Sequence, residues 1–217
     1  MGTTDSRTPS PPLIWRIFGK PRILTPGAWM ADRMAKKGMV CSGASEASMA
    51  QWASAFTESA IGVSKTVGDL VGPCSFAVLM GISRVFYGKV NEKLDLTKAM
   101  LGCGALCISC YLLASLSSTP IIGLAGCALC GISVGIMWPG TISISAHKCP
   151  AGGTAMFAFL ALAGDLGATI GPSMVGRFSG MAGGNLKIGL LFATIFPVVL
   201  IFVLFVLKRM VRNPLSK

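Results

Sequence analysis

The stretch Thr154–Gly176, TAMFAFLALAGDLGATIGPSMVG, constrains this chain more than any other. It has the length of the roughly 20 apolar residues that a bilayer-crossing helix needs, yet Asp165 stands near its middle. A carboxylate at that depth is costly, so it normally faces a bundle interior or a wet cavity and serves a solute, an ion or a proton. One turn away along a helix stand Ala161, Leu162, Ala168 and Thr169, mostly small, with Pro172 two turns on. The stretch reads as one wall of a polar pathway through a membrane.

Composition extends that reading to the whole chain. Hydrophobic residues make up 53% and charged residues 12%, with a mean hydropathy of +0.69, far from the usual quarter-charged soluble domain. The net charge of +11 raises the question of nucleic acid. Its basic residues lie at the ends of apolar runs, without the interleaved aromatics of a base-binding surface, so no nucleic-acid partner is expected. The lipid bilayer is the expected surroundings.

Six spans are expected, at about 39–57, 67–88, 99–118, 120–142, 154–176 and 186–207. The first is the weakest, because MVCSGASEASMAQWASAF is rich in small residues and carries Glu46, with Gln51 and Trp52 beyond. An interfacial amphipathic helix with Glu46 in water is its alternative. Asp69 fits a first-turn cap and Arg84 a side chain snorkelling to the interface. Pro120 suits the first turn of the fourth span, and Pro139 distorts its last turn, where Trp138 is either a belt residue or part of a site. His147 and Lys148 fall in a short loop, and a Gly-rich turn through Gly183 and Gly184 precedes the last span, which is apolar enough to be peripheral.

The flanks are basic. Residues 1–38 read as a Pro-rich, disordered cytoplasmic arm whose Met1-Gly2-xxx-Ser6 formally fits a myristoylation site, and 208–217 as a cytoplasmic tail. Sixteen Lys and Arg fall on the side of the two ends; only Lys65, Arg177 and Lys187 fall on the other. That bias puts both termini in the cytoplasm and makes the number of spans even, which favours counting the first stretch.

No nucleophile elbow, hydrolase carboxylate pair, Walker loop or HExxH is present. No cofactor or metal is expected. Cys107 and Cys110 form one CxxC, Cys127 and Cys130 another, but each lies inside an apolar helix and the sole histidine is His147. They read as packing residues, with a membrane thiol oxidoreductase as the enzymatic alternative. The remaining chemistry belongs to Glu46 and Asp165, candidates for proton coupling or for hydrogen bonding a small polar solute. Gln51 and Trp138 are candidate contributors of a hydrogen bond and a stacking surface.

Six spans with both ends inside resemble the C-terminal half of a major facilitator superfamily transporter, over roughly Met39 to Leu207. Gly81, Gly88 and Lys89 match the glycines and a basic position of that family's cytoplasmic loop signature, although Val85 and Phe86 replace its acidic and following basic positions. Gly167-xxx-Gly171-Pro172 matches part of the family's glycine–proline helix motif, with Ala158 in place of the earlier glycine and Val175-Gly176 in place of the closing glycine pair. Gly131 to Pro172, with Trp138-Pro139-Gly140 at its centre, is similar to the corresponding region of fucose-permease-like sugar symporters.

The resemblance implies an all-α membrane protein forming one half of a major-facilitator-type bundle in the plasma (inner) membrane. It implies alternating access, secondary active transport, and a partner in the form of a missing N-terminal six-helix half or a second copy. Gly81, Arg84, Gly88, Lys89, Gly131, Gly135, Gly167, Gly171 and Pro172 then take helix-packing and gating roles. A six-helix scaffold that transports nothing is the alternative.

Overall fold

The computed structural model describes residues 26–61, 64–90, 95–148 and 153–212. The arm before Pro26, with its Met1-Gly2 site, and the tail beyond Arg212 lie outside them. Eight helices account for nearly all of the described residues: α1 (Pro26–Ile61), α2 (Lys65–Val90), α3 (Leu96–Leu116), α4 (Pro120–Gly135), α5 (Met137–Lys148), α6 (Gly153–Met181), α7 (Leu186–Ala193) and α8 (Ile195–Arg212). Five helical stretches, Leu70–Val90, Leu96–Leu116, Ile121–His147, Gly153–Met181 and Leu186–Arg209, are long and apolar enough to cross a membrane. The described residues are all-helical, with the character of a multi-pass membrane protein.

Two of those stretches are broken, and proline breaks both. Pro139 lacks the N–H that would bond Gly135, and its ring crowds that carbonyl, so α4 ends there and α5 restarts after a turn at Ile136. Gly140 N–H then resumes the ladder on the Ile136 carbonyl at 2.8 Å. Pro197 does the same to Ala193, and the turn falls at Thr194. The proline thus divides the fourth pass in two instead of distorting its last turn. His147 and Lys148 belong to α5, not to a loop.

Side-chain chemistry explains the other boundaries. Asp95 caps α3, its carboxylate accepting from the Lys98 N–H at 3.2 Å. Pro120 occupies the first turn of α4, where a missing N–H costs nothing. Gly183 and Gly184 adopt φ of 69° and 86°, the left-handed values that turn α6 into α7. Asp69 lies at the fifth residue of α2, past the capping position.

The helix with the weakest sequence signal stands at the centre. α1 runs 36 residues, about 54 Å at 1.5 Å per residue, and begins at Pro26, so the last part of the expected arm is helical. It packs most extensively on α6 and also meets α2, α4, α5, α7 and α8. α3 joins through a side chain: the buried Tyr111 hydroxyl donates to the Ser45 carbonyl at 2.7 Å. The inner face of α1 carries Met39, Ala44, Met49 and Ala53, together with Ser42, Ser45 and Ser48, all fully buried.

Glycine sets the spacing of the main pairs. A Cβ on Gly43 would collide with the Gly164 carbonyl, and one on Gly167 with the Val40 carbonyl, so α1 and α6 lie backbone to backbone. Gly131 makes the same contact with the Phe76 carbonyl, and Gly135 faces Met80 and Ser83, joining α4 to α2. Along α1 and α6 the partner numbers rise together, and the connections between successive passes are too short to recross the bundle, so α8 runs opposite to α1 and meets it where Gly38 lies beside Leu200 and Val203. The described chain therefore enters and leaves at the same end of the bundle, after six passes.

The last pass is only half peripheral: Leu200 and Leu204 are buried while Phe202 and Phe205 are exposed.

Candidate functional site

The strongest polar feature lies between α1 and α2. Arg84 does not run to the interface; its Nη2 donates to Glu46 Oε1 at 3.1 Å, forming an ion pair across 38 residues of sequence. Glu46 is the less exposed partner, with 23% of its side-chain surface open against 46% for Arg84. Its other oxygen, Oε2, is buried and has no hydrogen-bond partner among the described residues, and the same holds for the Ser42 hydroxyl. Ser42 stands four residues before Glu46, one turn along the same face of α1. Leaving a buried polar atom unpaired costs on the order of 1–3 kcal/mol, so both atoms are set to receive a partner such as water, a proton or a solute hydroxyl.

The other named residues spread around this pair. Asp165 is exposed on α6, where no helix among the described residues covers it. Thr169 and Ser173 continue its side of the helix, their hydroxyls bonded to the carbonyls of Asp165 and Thr169 at 2.9 and 2.7 Å. Gln51 is also exposed, one to two turns from Glu46 along α1. Trp138 is partly buried in α5, with its ring against Gly164 of α6. Among the described residues no hydrogen bond or ion pair joins Glu46, Asp165, Gln51 and Trp138, whereas Glu46 is paired with Arg84.

Trp52 has a more definite position than the sequence gave it. Its indole N–H donates to the Pro172 carbonyl at 3.1 Å, tying α1 to α6 beside the α6 proline. Gly171 faces Ala44 and the Ser48 hydroxyl. Gly81 and Gly88, by contrast, have nothing within 4 Å of where a Cβ would stand, and Lys89 is exposed, so these three support no helix contact among the described residues.

Two participants escaped sequence reasoning. Tyr111, in the middle of an apolar pass, must find an acceptor for its hydroxyl, and that requirement was the available signal. Ser42, one turn before Glu46, is one of several serines in α1 and carried no signal of its own. The CxxC pairs meet across α3 and α4, with Cys107 Sγ and Cys130 Sγ 3.9 Å apart and both fully buried. Among the described residues no group of three or more His, Cys, Asp or Glu is placed to hold a metal ion. Compared with known protein families and with curated proteins, the chain matches none.

Proposed function

We propose that this chain is one six-pass half of a secondary transporter of the major facilitator type, moving a small polar solute by alternating access, with sugars among the candidate solutes. The observation that carries the reading is the Glu46–Arg84 pair between two membrane-length helices, with Glu46 Oε2 and Ser42 Oγ awaiting a partner. A carboxylate held by an arginine on one oxygen and open on the other can accept a hydrogen bond or a proton, and protonation releases the arginine. Such a two-state group is what gradient coupling requires.

Asp165 sits in a stretch of membrane length on a side that the described residues leave open, which suits a missing half or a second copy closing over it. The charge bias of sixteen Lys and Arg against three supports cytoplasmic termini in a plasma (inner) membrane.

Uptake driven by an ion gradient in the complete two-half carrier tests the proposal. Asp165→Asn and Glu46→Gln should each abolish accumulation while leaving the amount of protein assembled in the membrane unchanged. Unimpaired accumulation by both variants would overturn it.

A further inference from the structure

The fourth pass is broken at Ile136, between α4 and α5, and α2 holds it on both sides of the break. Ile132 is one of the last four residues of α4, whose carbonyls lack regular helical donors. The Ile136 N–H, which would serve Ile132 in an unbroken helix, turns to the Val134 carbonyl instead. The buried Ser83 of α2 takes its place, its hydroxyl donating to the Ile132 carbonyl at 2.7 Å. One turn on, the buried Tyr87 reaches past the break, its hydroxyl donating to Ser143 Oγ of α5 at 3.4 Å. Gly135, the last residue of α4, permits this approach, because a Cβ there would stand 2.9 Å from both the Met80 carbonyl and Ser83 Cβ.

Arg84 follows Ser83 directly. Successive side chains on a helix point about 100° apart, so Ser83 turns to α4 while Arg84 turns to α1 and its carboxylate, Glu46. Between its two grips on the broken pass, α2 is therefore tied to the ion pair of the candidate site. The stretch from Met80 to Val90 is helical and free of proline, so a displacement at Arg84 is carried to Ser83 and Tyr87 within one turn. The break is where the fourth pass yields most easily, since Pro139 offers no N–H to Gly135. The corresponding break in the sixth pass is closed locally: Thr194 Oγ1 donates to the Leu190 carbonyl at 3.3 Å.

We infer that Ser83 and Tyr87 are positioning residues that link the Glu46–Arg84 pair to the bend of the fourth pass. When Glu46 lets Arg84 go, α2 shifts and takes the break with it. Trp138, two residues beyond Ile136 with its ring against Gly164 of α6, moves in consequence. The inference rests on the proposed two-state role of Glu46 and gives that state a moving part, but it requires neither solute nor partner.

Nitroxides attached through introduced ketone side chains at Leu129 of α4 and His147 of α5, both exposed, report the bend in the full chain in lipid nanodiscs. Their separation is measured by pulsed electron resonance without solute or gradient. Glu46→Gln, which removes the charge holding Arg84, should move the mean separation by about 2 Å, the scale of helix shifts in switching proteins. In a Ser83→Ala/Tyr87→Phe background the same change should have no further effect, and Ser83→Thr should keep the response. Should the double change not fold, Ser83→Ala decides alone. A control pair at the exposed Ile188 and Phe202, across the sixth-pass break, should not respond.

An unmoved separation in Glu46→Gln, an equal shift with and without Ser83 and Tyr87, or a matching shift of the control pair would each overturn the inference. If the shift depends on Ser83 and Tyr87 while accumulation by the complete carrier survives both Asp165→Asn and Glu46→Gln, the linkage stands and the transport reading falls.

Discussion

Gly167 and Gly81 respond to a methyl group in opposite ways. At Gly167 it strikes the Val40 carbonyl, which cannot rotate aside, so α1 and α6 must separate. Gly167→Ala is expected to destabilise by about 1–3 kcal/mol, the usual range for overpacking a tight contact. At Gly81 there is nothing within 4 Å, and Gly81→Ala should stabilise by about 0.5–1 kcal/mol through helix propensity alone. Reversible unfolding in mixed micelles measures both; equal effects would contradict the α1–α6 contact. At the ion pair, Arg84→Ala leaves a less exposed carboxylate unmatched, whereas Glu46→Ala leaves an arginine that can reach polar surroundings. Arg84→Ala should therefore be the more damaging, by about 1–3 kcal/mol, and a double-mutant cycle should show the two changes to be coupled.

At the scale of the element, Asp95 offers a pH-dependent test. Hydrogen bonds from the Lys98 backbone and side chain hold its carboxyl below the usual aspartate value of 3.8. A carboxyl lowered in the folded state stabilises above its unfolded value and loses that contribution as pH falls through the folded one. Asp95→Asn should consequently lower the Tm at neutral pH, and the gap from the unaltered chain should close below about pH 4. A gap that persists in acid would show that the cap does not depend on charge.

How far the elements could be read in the sequence follows the same physics. Passes two to six announce themselves because each satisfies its own backbone and is apolar enough to stand in lipid. α1 does not, because Arg33, Lys36, Lys37 and its serines depress its hydropathy, and its stability comes from surrounding helices that local sequence does not encode. Pro139 and Pro197 marked where the fourth and sixth passes would be disturbed, but not that a new helix begins beyond each. Glu46 stood out as a carboxylate in an apolar setting. Its partner did not, since Arg84 becomes a neighbour only once α1 and α2 pack antiparallel.

For the whole molecule, the pairing of Gly38 with Leu200 and Val203 puts both described ends at one end of the bundle. Reporters fused before Pro26 and after Lys217 should respond together to an impermeant reagent added from one side. Opposite responses would contradict a six-pass arrangement. The open side bearing Asp165 leads to a second expectation. The purified chain alone in liposomes should bind solute without accumulating it, and accumulation by monomeric chain would show that this six-pass unit needs no partner.

The central position of α1 also bears on how the protein is made. This helix is synthesised before the other described helices, is the least able to enter lipid by itself, and finds its principal neighbour α6 only after some ninety further residues have been synthesised, between Ile61 and Gly153. A nascent chain halted after Val90 should therefore leave α1 outside the bilayer or only loosely inserted, and one extended through Met181 should draw it in. Assembly of the described helices would then include the late capture of a segment made well before its principal partner.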